Sequence, residues 1–304
     1  MSYDADLLGV TMSGPQARAD YESWLTQRHT YVTSASGNLA LVGYQPVDAE
    51  SRQVDGMPVT VRAADSDGVW VAAAPDGGVS VDGKEIDGEI YVERLRPDGS
   101  PIVTSGSRSF DVFSLDGSDF ELRIYDRDAE ALQTFERIDA YPYASDLAVT
   151  GRFRPYDDTV DVAWDFTRST DTGHAKRVPG EIDLELGDRT YALLAFLDGD
   201  VLVLVFADGT TGRESYAPGR FLRLPPPDAD GNVSVDFNRA IIPPCGFSNS
   251  YSCPLPPAQN RIALPIRAGE RRVQWETSDL SEAPQGRADG PPGSREPLLI
   301  RRTW

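Results

Sequence analysis

The chain has 304 residues and carries 48 acidic against 29 basic side chains, a formal net charge of −19. So acidic a balance argues against a nucleic-acid-binding protein, which needs a basic face, and against binding to anionic membrane surfaces. Two cysteines are too few for a secreted disulfide framework, and neither a signal peptide nor a long apolar run is visible. We therefore expect an acidic, soluble, cytoplasmic protein.

The first predicted element is one helix within the N-terminal segment 1–34. Over residues 15–28, Ala17, Tyr21, Trp24 and Leu25 recur at helical spacing and would form one face. Strand signals then dominate residues 35–127, where short alternating runs are separated by Gly and Asp turns. This spacing is typical of a β-sandwich, and the Asp82-Gly83 pair predicts a hairpin turn within it.

A connecting segment, 128–145, interrupts the strand pattern and contains a predicted short helix near 129–135. Strand signals resume in a second β unit, 146–275, whose last expected strand is IALPIRAGE, 262–270. The tail, 276–304, is rich in Pro, Gly and charge, and we expect it to be mobile. The predicted fold is mainly β: an N-terminal helix, a sandwich and a second β unit with a Pro/Cys-rich loop.

The segment from Asp208 to Glu270 is the most informative part of the chain. It contains both cysteines and many Gly, Pro, Asn and Arg residues, and irregular polar segments often carry functional sites. Residues 213–272 hold eight arginines against five acidic residues, in contrast to the rest of the chain. Because Arg forks match carboxylates and phosphates, this excess predicts a site for a small anionic molecule. The alternative is that these arginines form surface ion pairs.

The predicted strand NVSVDFNR, 232–239, leads into the cysteine loop and ends with three polar residues. Strand alternation would place Asp236 and Asn238 on one face, where the acid could exchange protons and the amide could orient a ligand. Arg239 would supply a fixed cation. The alternative is structural: an Asp–Arg pair and an Asn that caps the following loop.

Cys245 and Cys253 lie in a loop that prolines make stiff, and we expect them to be close in space. Three interpretations stay open: a local disulfide, a pair of structural thiols, or a reactive Cys245 with Cys253 as its resolving partner. The histidines that could serve as a base, His29 and His174, are distant in sequence. The Cys and His spacing fits no zinc pattern, and no nucleotide-binding or hydrolase motif occurs, so we predict no metal or cofactor.

Two long runs resemble the bacterial and archaeal family called domain of unknown function 1684. They are FADGTTGRESYAPGRFL, 206–222, and DFNRAIIPPCGFSNSYSCPLPPAQNR, 236–261. Trp24 and Arg28 lie where the family has a W-x-x-x-R helix, and the resemblance extends over about residues 15–275. The positions that match the family pattern are Asp208, Thr210, Gly212, Tyr216, Gly219, Arg220, Asp236, Asn238, Pro244, Cys245, Cys253, Pro254 and Asn260.

The chain departs from the family pattern at Ser215, Ile241 and Ile242, where Thr and Tyr-Asn are usual. No activity accompanies the resemblance. The first half is also faintly similar to a forkhead-associated sandwich, but it lacks that module's phosphothreonine-reading residues, so we do not expect phosphopeptide binding.

Two functions are therefore open. In the first, an enzyme acts on a small anionic substrate through the second β unit, with Asp236 and Cys245 as catalytic residues. Substrate would then be bound by the five residues Tyr216, Arg220, Asn238, Arg239 and Asn260. In the second, the protein is a non-catalytic small-molecule-binding or scaffold module. The Pro/Cys-rich loop that contains Cys245 and Cys253, which we call the signature loop, is then structural.

Overall fold

The computed structural model describes residues 15–65, 67–94, 102–114, 120–168, 175–199 and 201–276. Residues 1–14 lie outside these ranges, and so does the tail from 277, which we expected to be mobile.

The fold is mainly β, as predicted. The helices are α1 (Pro15–Val32) and α2 (Glu130–Thr134). The strands of the first half are β1 (Leu41–Val47), β2 (Arg52–Gln53), β3 (Val59–Ala63), β4 (Gly68–Ala73), β5 (Val79–Val81), β6 (Lys84–Glu85), β7 (Gly88–Glu93), β8 (Ile102–Ser105), β9 (Arg108–Ser114) and β10 (Phe120–Asp126). Those of the second half are β11 (Phe135–Ala140), β12 (Ala148–Ala163), β13 (Ala175–Leu186), β14 (Arg189–Asp198), β15 (Val201–Phe206), β16 (Arg220–Leu224), β17 (Asn232–Asp236) and β18 (Glu270–Trp275).

Helix α1 buries the face that its spacing predicted. Ala17, Tyr21 and Trp24 are buried, and Arg28 continues the same stripe one turn later. The helix ends at Val32, four residues beyond the predicted end. Among the residues that the structure describes, no helix is long and apolar enough to cross a lipid bilayer.

The first half forms a β-sandwich of two antiparallel sheets. One has the order β1-β10-β9-β8-β5-β6 and the other β2-β3-β4-β7. Alternate residues point inward, so that Val61 and Val71 of the smaller sheet share one apolar cluster with Phe110 and Leu122 of the larger. The predicted hairpin turn joins β5 to β6, and both Asp82 and Gly83 have positive φ.

The second half contains a six-stranded antiparallel sheet with the order β16-β15-β14-β13-β12-β17. Its edge strands β16 and β17 contact each other, so the sheet curls into a half-barrel. The apolar side chains on its inner face include Ile182, Leu184, Leu193, Leu204 and Phe206, all fully buried. Strands β11 and β18 pair separately, in a two-stranded sheet.

The strand expected at 262–270 does not form. Residues 262–269 run as an irregular segment beside residues 207–209, and the strand begins only at Glu270. Ile262 N donates to Ala207 O at 2.8 Å, and Gly209 N donates to Leu264 O at 3.0 Å. Pro265 has no N–H to continue a ladder, which explains the correction.

The signature loop joins the two halves. Ser248 Oγ donates to Leu41 O at 2.7 Å, and the rings of Tyr44 and Tyr251 lie 6.1 Å apart, edge to face. The domain boundaries given above stay a prediction, as does the resemblance of the sandwich to forkhead-associated domains.

Candidate functional site

Arg220 lies at the start of β16 and is fully buried. It pairs with Asp208, which is also buried, at 2.8 Å, and it donates to the carbonyls of Ile266 and Ala268. The other oxygen of Asp208 accepts from the backbone N–H of Thr210 at 2.7 Å. The terminal nitrogens of Arg220 are therefore used by the protein, and this side chain is not presented to a ligand.

Two glycines allow these close approaches. Gly219 has φ +97°, and a Cβ there would lie 2.7 Å from Phe206 O. Gly269 has φ +74°, and a Cβ there would lie 2.5 Å from Ala240 O. Only glycine fits both the conformation and the space, and each glycine directly precedes a buried charged residue.

A second buried ion pair ties helix α1 to the loop. Arg28 Nε donates to Glu270 Oε1 at 2.9 Å, and Ile242 N donates to Glu270 Oε2 at 2.7 Å. Arg28 also donates to Asn38 Oδ1 and Ile242 O, each at 3.1 Å. Ile242 contributes only its backbone here, so its departure from the family pattern leaves the network intact.

Asn260 and Asn238 are fully buried. The side-chain amide of each makes hydrogen bonds to backbone groups that a neighbouring strand would otherwise satisfy. Asn260 accepts from Leu194 N and donates to Leu194 O and Val205 O, all at 2.8 Å. Asn238 accepts from Ala144 N at 2.8 Å and donates to Ala144 O at 2.9 Å. Both amides are therefore saturated by the chain.

Asp236 ends β17 and caps a 3₁₀ turn over Phe237–Arg239. Its Oδ1 accepts from Asn238 N at 3.0 Å and from Asn238 Nδ2 at 2.8 Å, while Arg239 Nε lies 3.7 Å from Oδ2. Both charged side chains are mostly buried. The structure thus brings Asp236, Asn238 and Arg239 together. The Asp–Arg pair of the structural alternative is present, but the capping residue is Asp236, and the Asn238 side chain bonds to Ala144 and does not cap the following loop.

The cysteines form a second group with Tyr216. Tyr216 OH donates to Cys245 Sγ at 3.6 Å, and Cys245 N donates to Cys253 Sγ at 3.3 Å. Both cysteines are free thiols. His29 is on α1, where its ring packs against Phe135, and His174 lies outside the described residues.

A cleft of about 500 Å³, which we call the aromatic cleft, opens between α1 and residues 137–143. The sequence did not indicate it, because its two walls are far apart in the chain. The sequence feature related to this cleft is the apolar stripe of α1, which we interpreted as a packing face. The side chains that line it include Arg18, Tyr21, His29, Arg137, Tyr141 and Tyr143.

The tyrosines of the aromatic cleft are ordered by contacts with one another. The Tyr21 ring lies 5.7 Å from that of Tyr143, and Tyr21 OH donates to Tyr141 O at 3.0 Å. Burial, together with the nearby carboxylate of Asp236, raises the pKa of Tyr143, while the positive charges of Arg239 and Arg18 oppose the rise.

Within the described residues, no cluster of three or more His, Cys, Asp or Glu side chains could hold a metal ion.

Residues 133–271 match the family described as a protein of unknown function, DUF1684. The match covers the second half of the resemblance that the sequence indicated. A solution NMR structure of an uncharacterized protein from Haloarcula marismortui is similar at 29% identity. The similarity covers 49% of this chain and 80% of that one, with a TM-score of 0.37. No curated protein matches the chain.

Proposed function

We propose that this protein is a non-catalytic module that binds a small anionic molecule in the aromatic cleft. The observation that carries the proposal is that Arg18 and Arg137, from two separate elements, line one cleft together with three tyrosine rings. The lining also includes the acidic residues Glu22 and Glu270, of which Glu270 is paired with Arg28. Arginine forks bind carboxylates and phosphates, and tyrosine rings pack well against the apolar part of a ligand.

The size of the cleft supports the proposal. Small-molecule sites usually have volumes of roughly 300–1,000 Å³ and combine apolar walls with a few polar groups. Here Tyr21 is buried and its hydroxyl is already bonded, so it offers mainly its ring. Arg18, in contrast, is exposed at the rim and can reach an incoming anion.

Charge supports the same assignment. Residues 213–272 hold more arginines than acidic residues, but Arg220 bonds to Asp208, Arg267 to Glu214 and Arg223 to Asp198. Arg137 also has acidic neighbours, Asp139 at 2.9 Å and Glu136, and it would exchange part of this pairing for a ligand. Within the aromatic cleft, the exposed Arg18 can therefore meet an incoming anion without giving up the acidic neighbours that Arg137 has.

The catalytic alternative stays a prediction that this geometry favours less. Asp236 Oδ1 already accepts two hydrogen bonds from Asn238, and Arg239 lies beside Oδ2. A carboxylate held in this way acts as a cap and brace more readily than as a proton donor.

Calorimetric titration with benzoate, phenyl phosphate and inorganic phosphate, and with uncharged benzamide for comparison, tests the proposal. We expect an aromatic anion to bind and benzamide not to bind. Because a hydrogen bond to a charged group contributes about 1.5–3 kcal/mol, Arg18→Ala should weaken binding by about tenfold or more. Arg189→Ala removes an exposed arginine that does not line the cleft and serves as the matched control. Equal affinity of the two variants, or no binding of any anion, would contradict the proposal.

A further inference from the structure

The two cysteines lie on adjacent stretches of backbone, although seven residues separate them in the chain. Cys245 lies in the 3₁₀ turn Pro244–Gly246, and its N–H donates to Cys253 Sγ at 3.3 Å. The Cys253 sulfur therefore lies against the backbone of Cys245, and the two thiol side chains belong to neighbouring segments.

The loop between them is anchored at several points. Phe247 and Tyr251 are buried, and Ser248 Oγ donates to Leu41 O at 2.7 Å. Cys253 exchanges two bonds with Thr167, since Cys253 N donates to Thr167 Oγ1 at 3.0 Å and Thr167 N donates to Cys253 O at 2.9 Å. The thiols are therefore held near each other by the fold and do not meet by chance.

The two thiols differ in their surroundings. Cys245 is half-buried and accepts a hydrogen bond from Tyr216 OH, whereas Cys253 is buried, with 4% of its surface exposed. Hydrogen bonds from Cys253 and Tyr216 lower the pKa of Cys245, and burial raises the pKa of Cys253. The first thiol is thus the easier one to ionise and to reach from solvent, and the thiolate is the reactive form.

We propose that Cys245 and Cys253 form a peroxide-reactive dithiol, in which Cys245 reacts first and Cys253 closes a reversible disulfide. In the first step the Cys245 thiolate attacks one oxygen of hydrogen peroxide. An S–O bond forms, the O–O bond breaks, and the hydroxide that leaves takes a proton from solvent, which leaves Cys245 as a sulfenic acid.

In the second step Cys253 attacks the sulfenic sulfur. The S–S bond forms, the S–O bond breaks, and the departing hydroxide leaves as water with the proton of Cys253. Overall, two thiols and one peroxide give one disulfide and two waters, and an external low-molecular-weight thiol then returns the pair to the reduced form. This inference is independent of ligand binding in the aromatic cleft, because the two sites share no side chain.

Intact-mass measurement on the full chain after one equivalent of hydrogen peroxide tests the order of events. The wild type should lose two hydrogens and both titratable thiols, and a thiol reductant should restore them. Cys253→Ser should instead gain one oxygen, held as a sulfenic acid that a dimedone reagent traps. Cys245→Ser should react far more slowly, because the remaining thiol is buried.

A further variant tests the role of Tyr216 and leaves both cysteines in place. Tyr216→Phe removes one hydrogen bond to the Cys245 thiolate, so its peroxide reaction at neutral pH should slow by roughly three- to tenfold. The midpoint of the pH–rate profile should also rise, because the hydrogen bond from Tyr216 lowers the pKa of Cys245. The other titratable groups that act on the pair, Tyr44 and Lys176, are unchanged in this variant.

Three results would overturn the inference: wild-type thiols that survive peroxide, a disulfide only between two chains, or equal rates in the two Cys→Ser variants. A Tyr216→Phe rate equal to that of the wild type would remove Tyr216 from the mechanism.

Discussion

The two β units of this protein are stabilised in different ways. The sandwich is filled by a cluster of valine, phenylalanine, leucine and isoleucine side chains from two regular sheets. The second unit has a similar apolar core, but irregular loops surround it, and their buried charged and amide groups bond to backbone. Regular strands satisfy their own backbone groups, whereas irregular segments need side chains to do so.

This contrast explains why the segment from Asp208 to Glu270 is so polar. Asp208, Arg220, Asn238, Asn260 and Glu270 all bond to backbone atoms of neighbouring segments. Such residues hold the shape of a loop, and a resemblance built on them identifies a scaffold more directly than a chemistry.

The largest expected effect comes from breaking the buried pair of the second unit. Arg220→Met leaves Asp208 buried without its cation, and such a loss costs about 3–5 kcal/mol of unfolding free energy. Urea denaturation followed by tryptophan fluorescence measures it. Asp208→Asn in the same chain removes the unpaired charge and keeps an oxygen for Thr210 N, so the double variant should be more stable than Arg220→Met alone. A single variant within about 1 kcal/mol of wild type would contradict the assignment.

Truncating an apolar side chain in the core of the sandwich measures how much that core contributes to stability, for comparison with the buried ion pair of the second unit. Leu122 is fully buried on β10, and Leu→Ala at such a site costs about 2–5 kcal/mol through lost burial and a cavity. Denaturation of Leu122→Ala should show this loss. Val42→Ala, at a surface residue of β1, is the control and should change stability by less than about 0.5 kcal/mol. A similar loss in both variants would mean that the sandwich core is not packed as described.

The regular parts of the molecule were predictable from periodicity. The stripe of Ala17, Tyr21 and Trp24 predicted α1, and alternation with Gly turns predicted the sandwich. The expected strand at 262–270 was wrong because its apolar residues, including Ile262 and Ile266, fill the core from an irregular segment.

The sites were less predictable. Arginine content suggested an anion site, but sequence does not show that Arg220 meets Asp208, or that Arg28 meets Glu270 across 242 positions. The aromatic cleft depends on such long-range approaches. The closeness of Cys245 and Cys253, in contrast, follows from a short proline-bounded loop, and local rules suffice for it.

A smaller loss is expected from removing one buried amide of the second unit. Asn260→Ala leaves Leu194 N, Leu194 O and Val205 O without a partner, and an unsatisfied buried group costs about 1–3 kcal/mol. Thermal and urea denaturation measure the loss. Asn249→Ala, an exposed asparagine of the signature loop, is the matched control. If both variants have the melting temperature of the wild type, the Asn260 amide does not contribute to stability.

The smallest effect concerns a site where the described part of the sandwich also buries charge. Asp111 and Arg123 are opposite each other on β9 and β10, yet Asp111 Oδ1 and Arg123 Nε have no hydrogen-bond partner. Burial raises the pKa of Asp111 above its ordinary value, although Arg123 opposes the rise. Asp111 Oδ2 accepts a hydrogen bond from Tyr125 OH at 3.3 Å, so this carboxylate is less completely bonded than Asp208 and Glu270 of the second unit.

The raised pKa fixes the sign of a pH effect. The folded chain holds the Asp111 proton more tightly than the unfolded chain, whose Asp has a pKa near about 3.9. The stability contributed by the protonated group is therefore present below that pH and is lost as pH rises through the folded-state pKa. Asp111→Asn mimics the protonated form. It should raise the unfolding free energy at pH 7, by less than the roughly 3–5 kcal/mol of a broken buried pair, and its advantage should shrink towards pH 4. Urea denaturation at both pH values measures this, with exposed Asp87→Asn as control. A variant less stable than wild type at pH 7 would show that Arg123 depends on the carboxylate charge, and the two units would then bury charge by the same rule.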